Sequence, residues 1–112
     1  MNDLATNSCE ACRIDAPIVS DDEASVLIKE IEGWHLINDG VKKLKKEFNF
    51  SSYSDSKDFT NKVADMADQE DHHPQIIMEW CKVTVIWWSH KIKGLHKNDF
   101  ICAAKTNNIS KN

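Results

Sequence analysis

The sequence predicts an α+β domain, a four-stranded antiparallel sheet with three helices packed on one face. Three observations predict it. Apolar residues recur at helical spacing in three separate segments. Two pairs of short period-two segments lie between those helices, and paired strands alternating with helices are the pattern of an α+β fold. Asn38-Asp39-Gly40 supplies a tight hairpin turn between the first two strands.

Ser20-Asp21-Asp22-Glu23 is a capping box: the Ser20 hydroxyl accepts from a free backbone N–H and Glu23 reaches back. Ala24, Leu27, Ile28 and Ile31 then form one apolar stripe, and Gly33 ends the helix. Residues 34–37 read as a strand, and residues 41–50 as its return, with Leu44, Phe48 and Phe50 on one face. Ser52 opens a second helix, with Asp55 and Asp58 in its early turns and Phe59, Val63, Met66 and Ala67 as its buried stripe. That helix stops before Pro74, because the residue preceding proline avoids the helical region. Residues 75–80 and 83–90 are two further strands, with Cys81-Lys82 as their turn. Val83, Val85 and Trp87 face one side, and Thr84, Ile86, Trp88 and His90 the other. A last helix covers about residues 97–106 and buries Phe100, Ile101, Ala103 and Ala104. Residues 1–19 are thus an N-terminal arm, 20–106 the domain and 107–112 a frayed tail.

Composition narrows the function. A chain of 112 residues is one domain. Fourteen Lys+Arg against eighteen Asp+Glu leave a charge of −4, which disfavours direct nucleic-acid binding, a mode driven by phosphate neutralisation. The one basic cluster, Lys42, Lys43, Lys45 and Lys46, falls on a strand and is expected to be a solvated edge. No apolar run exceeds five residues, far short of the about 20 that a membrane span needs. The N-terminal residues lack a basic start and an apolar stretch, so the expected compartment is the cytosol. Cys9-x-x-Cys12 has no second close pair for a zinc ribbon and no strand before it, and reads as an inert pair. Many strand residues are apolar on both faces, so part of the open face or an edge is expected to pair with another copy of the chain.

The candidates for chemistry are histidines. His72-His73 sits where helix becomes loop, after Asp68 and Asp71; His90 ends a strand, with Asp99 soon after. Residue types alone leave three readings of the pair open: a solvated loop, a metal site, or acid/base groups suited to neutral pH. Trp87 reads as core, while Trp88, sharing a face with His90, can be a pocket wall; Met66 and Met78 read as packing. There is no Gly-rich phosphate loop and no dinucleotide fingerprint. A small domain with several histidines and no cofactor motif fits proton transfer on a small polar ring.

The series Asp68-x-x-x-His72-His73-Pro74, Trp80, Lys82-Val83, Ser89-His90, Gly94-Leu95 and Asp99 resembles the pterin-4a-carbinolamine dehydratase family. Upstream, Gly33-Trp34, Asp39-Gly40, Phe48-x-Phe50 and Phe59 are similar too, so the likeness covers about residues 20–106. It implies an α+β fold, a homodimer or homotetramer, and dehydration of 4a-hydroxytetrahydropterin to quinonoid dihydropterin, with no cofactor or metal. The substrate is the by-product of aromatic amino-acid hydroxylases, and such a hydroxylase is the implied partner. By resemblance, His72 and His90 are proton-transfer groups and His73 binds and positions the pterin. Asp71, Trp88 and Ser89 line the pocket, and Asp68 and Asp99 orient imidazoles. Animal members also act as dimerisation partners of a transcription factor, so the alternative is a non-enzymatic partner module. Compared with animal members, Trp88 replaces a small hydroxyl residue, Ser89 a Thr and Lys91 an acidic residue. His96 replaces the Ser or Thr that caps the last helix, and that cap is expected to weaken by roughly 1 kcal/mol.

Overall fold

Residues 4–6 and 17–111 are described in the structure, a computed structural model. The Cys9–Cys12 pair lies outside the described residues. The elements are α1 (Asp21–Leu27), β1 (His35–Asn38), β2 (Lys42–Asn49), α2 (Tyr53–Glu70), β3 (Gln75–Met78), β4 (Lys82–Trp87) and α3 (Lys97–Ser110). The sheet is antiparallel throughout, in the order β1-β2-β4-β3, two hairpins joined through β2 and β4.

Local chemistry sets the boundaries. The Ser20 capping box forms in full, and Ile28–Glu30 tighten into a 3₁₀ turn after α1. Gly33 (φ 84°) then reverses the chain; a Cβ there would meet the Lys46 stem at 2.8 Å. Gly40 (φ 106°) supplies the left-handed residue of the β1–β2 hairpin. The Ser52 side chain caps α2 by accepting from the Asp55 N–H.

The core lies between the inner sheet face and the helices. Leu44 and Phe48 of β2 and Val83, Val85 and Trp87 of β4 meet Phe59, Val63 and Ala67 of α2 and Phe100 and Ile101 of α3. Phe48 and Phe50 pack on Phe59 with ring centroids 4.7 and 5.1 Å apart.

Several expectations need correction. The lysine cluster is not an edge, because β2 lies between β1 and β4. Lys46 instead runs under Gly33 and donates to the Glu32 carbonyl (2.9 Å) and Asn107 Oδ1 (2.8 Å). Trp80 and Met78 are exposed, so Met78 is not core packing; the turn takes residues 79–81, and Lys82 already belongs to β4. The last helix is longer than its local pattern predicts: α3 runs to Ser110, so residues 107–110 are not a frayed tail. Thr106 and Asn107 are buried and accept from the indole N–H groups of Trp87 (3.2 Å) and Trp34 (3.0 Å). Tertiary hydrogen bonds thus outweigh the weak helix propensity of Asn107-Asn108. The arm docks where it is described: Leu4 is buried, and Lys105 of α3 donates to the Ala5 carbonyl at 2.8 Å.

Candidate active site

The end of α2 decides which histidine faces inward. Asp71 takes the left-handed conformation (φ 52°, ψ 41°), a region that Asp tolerates better than most residues. Its N–H bonds the Asp68 carbonyl at 3.2 Å, and the His72 N–H bonds the Ala67 carbonyl at 3.1 Å. This is a Schellman motif, and it turns His72 into the protein and leaves His73 outside.

His72 is 4% exposed. Its ring stacks on Trp87 with centroids 5.4 Å apart. Its Nε2 lies 2.7 Å from Asp99 Oδ1. Asp99 has no exposure, and its Oδ2 also accepts from the Ser89 hydroxyl (2.8 Å) and the His96 N–H (2.9 Å). With two donors already on Oδ2, Asp99 acts as acceptor at both oxygens. The neutral His72 ring therefore carries its proton on Nε2 and donates it to Oδ1, leaving Nδ1 as the nitrogen with a lone pair.

Asp99 is held by the start of α3. Here the expected weak cap is overturned: the His96 side chain accepts from the Asn98 N–H through Nδ1 (3.0 Å), and Asp99 closes a full capping box. A neutral imidazole nitrogen is an acceptor like the hydroxyl that it replaces, so the cap survives the substitution.

The other residues lie at the same end of the sheet. Ser89 is buried and pairs with Gly94 in a bridge just beyond β4, and His90 follows it. Ser89 was expected to line the pocket, but its hydroxyl proton is committed to Asp99. Asp71 shapes the turn through its backbone. His73 is exposed, with Nε2 3.2 Å from Oδ1 of a still more exposed Asp68, a pair of little energetic weight. His90 is exposed, and its ring lies 4.2 Å from that of Trp88. Extending the Gln75↔Ile86 register brings His73 level with Trp88 and His72 level with Ser89. All three histidines thus lie at the end of the sheet where β3 begins and β4 ends. His72 lies on the helix side, stacked on Trp87, whereas Trp88 and His90 follow the end of β4.

Two residues escaped the sequence reading. Lys43 places its ammonium 4.1 Å from the Trp88 ring centroid and 3.0 Å from Asp39 Oδ2. That hydrogen bond, aided by the lysine charge and opposed by desolvation, holds the Asp39 carboxyl below its usual value. Its signal was the strand register, since Lys43 adjoins Leu44, the partner of Trp87. The second is Trp87, noted as core but not as the surface on which His72 stacks. Among the described residues, no group of three or more His, Cys, Asp or Glu is arranged to hold a metal ion.

A small α+β sheet whose end carries a buried His–Asp pair beside two exposed histidines defines a class, and the comparisons say which. A family model described as pterin 4 alpha carbinolamine dehydratase matches residues 17–109. The chain belongs to that family. Proteins named "Putative pterin-4-alpha-carbinolamine dehydratase" are 50% identical over 110 residues in Saccharophagus degradans, covering 97% of each chain, and 53% identical over 102 residues in Vibrio vulnificus, covering 90% of this chain and 93% of that one. A crystal structure titled transcriptional coactivator/pterin dehydratase from Brucella melitensis superposes with a TM-score of 0.79 at 26% identity, covering 84% of this chain and 99% of that one. A pterin dehydratase-like protein described as a RuBisCO assembly factor in the alpha-carboxysome shares the fold, with a TM-score of 0.61 at 20% identity over 70% of this chain and 90% of its own. No helix of the described residues is long and apolar enough to cross a membrane.

Proposed function

We propose that this protein dehydrates 4a-hydroxytetrahydropterin to quinonoid dihydropterin by histidine acid/base catalysis, in the recycling of the pterin that aromatic amino-acid hydroxylases consume. The observation that carries the reading is the buried His72–Asp99 pair, with Nε2 and Oδ1 2.7 Å apart. The substrate is a carbinolamine, with N5 and a hydroxyl on the same carbon. The N5–H proton leaves, the N5 electron pair forms the C4a=N5 bond, the C4a–O bond breaks, and the hydroxyl departs as water once an acid protonates it. Asp99 fixes the tautomer and direction of the His72 ring, so that Nδ1 is the nitrogen that exchanges a proton with the substrate. His90 is the second proton-transfer group, and the exposed His73 binds and positions the pterin. Asp71 and Trp88 border the ring, Ser89 acts through Asp99, and Asp68 steadies His73. Oxidation state does not change, and the reading invokes no cofactor or metal.

The same reading includes a homodimer or homotetramer. β3 is paired on one side only, and Ile77, Met78 and Trp80 at this border are exposed. A partner-module role is the second reading, favoured by that apolar edge and by the coactivator and assembly-factor titles of the two structural neighbours.

A stopped-flow assay on freshly generated 4a-hydroxytetrahydropterin tests both. The wild type is expected to accelerate dehydration over the spontaneous rate. His72→Ala and His90→Ala are each expected to lose about 10²-fold or more while remaining folded, and His73→Ala to raise KM chiefly. Full activity in both of the first two variants overturns the roles; no acceleration by the wild type leaves the partner-module reading.

A further inference from the structure

We infer that Lys43 and Trp88 are positioning residues that hold the His90 imidazole in one orientation; the inference rests on the reading of His90 as a proton-transfer group. The backbone on either side of His90 is pinned, with the Ser89 N–H on the Gly94 carbonyl at 2.9 Å and the Gly94 N–H on the Ser89 carbonyl at 3.4 Å. The side chain is not: His90 is exposed, and an exposed ring changes rotamer in picoseconds to nanoseconds. Proton transfer needs a ring that stays aligned. The restraint is Trp88, two residues earlier in the chain, whose ring lies 4.2 Å from His90 at 35°.

Trp88 is itself restrained. Because Leu44 pairs with Trp87, Lys43 falls beside Trp88, and its ammonium lies 4.1 Å from the ring centroid. The Lys43 side chain is only 15% exposed, far less than is usual for lysine. Burying an ammonium is unfavourable unless partners offset it. Here Asp39 Oδ2 at 3.0 Å and the indole face do so. Filling space alone would favour an apolar side chain; a cation held between a carboxylate and an indole face is suited to fixing the ring. The chain of contacts thus runs from the hairpin turn through Asp39, Lys43 and Trp88 to His90.

The test pairs histidine-ring NMR with turnover in Lys43→Met, Lys43→Arg, Trp88→Phe and Trp88→Leu. In the wild type, the His90 ring protons are expected to carry the displacement that a stacked indole imposes. They are expected to move to free-imidazole positions in Trp88→Leu, and part of the way in Lys43→Met. Lys43→Met is expected to lower kcat about two- to fivefold, the worth of one cation–π contact, with KM within about twofold. Lys43→Arg, which also stacks on aromatic faces, and Trp88→Phe are expected to restore most of both signals. His90 signals that are identical in wild type, Trp88→Leu and Lys43→Met overturn the inference whatever the turnover, and displaced signals with unchanged kcat overturn it too. If the wild type does not accelerate dehydration, the dehydratase reading falls, while the NMR spectra still decide whether the ring is held.

Discussion

Asp99 joins three elements with one side chain, taking hydrogens from His72 after α2, Ser89 after β4 and the backbone of His96 before α3. Removing its charge while keeping its shape isolates that role. In Asp99→Asn, an amide NH₂ facing His72 Nε2 needs an acceptor there, so the imidazole must carry its proton on Nδ1 instead. If the amide is turned the other way, its NH₂ opposes the Ser89 and His96 donors. The variant is expected to stay folded with about 1–3 kcal/mol less stability by urea unfolding, and to lose about 10²–10⁴-fold in turnover. A tautomer unchanged by ¹⁵N NMR, with full activity, contradicts the orienting role. At this scale, residue types nominated the histidines and the family resemblance nominated Asp99. Nothing in the adjacent pair His72-His73 distinguishes the buried ring from the exposed one. The left-handed turn at Asp71 does that, and it is a property of backbone geometry.

Elements were legible where local chemistry dictates them. The Ser20 and Ser52 caps, Gly33 and the Asn38-Asp39-Gly40 hairpin all lie where residue type and spacing put them. The lysines of β2 were not, because whether a strand is edge or interior depends on partners distant in sequence. Lys46 illustrates the consequence. Burial pushes its ammonium below the usual 10.5, with the Glu32 charge opposing and Lys111 adding to the effect. The folded state therefore releases this proton at a lower pH than the unfolded chain does. Between those two values the unfolded chain binds more protons, so stability rises with pH there. Lys46→Met is expected to abolish that small rise as pH climbs toward 10.5, measured by urea unfolding across the window. The substitution leaves the Glu32 carbonyl with the Asn107 amide, and Asn107 Oδ1 with the Trp34 indole, so no acceptor is orphaned. An identical pH slope in wild type and variant contradicts the assignment.

For the whole molecule, α3 is the organising piece. Phe100 and Cys102 have no exposure, Thr106 and Asn107 are buried as well, and Leu4 and Ala5 of the arm lie against this helix. A helix enclosed on several sides shows little amphipathic pattern, which is why its span was underestimated. The open border is the other whole-molecule feature. β3 ends the sheet with Ile77 42% and Trp80 74% exposed. If a second copy covers this border, the wild type elutes well above its 12.8 kDa chain mass, and Ile77→Lys shifts it toward the monomer. A wild type that sediments as a monomer contradicts the oligomer.

Local patterning by itself determined the helices, the two hairpins and the α+β class, because capping, periodicity and turn chemistry act over a few residues. The histidine candidates were legible from residue type and position, and the orienting role of Asp99 from the likeness of its spacing to a known family. Only the tertiary structure decided the order β1-β2-β4-β3, which places Lys43 beside Trp88 and buries the β2 strand between neighbours. It also decided that one carboxylate serves both as helix cap and as partner of His72, since that depends on where chain ends separated by tens of residues meet.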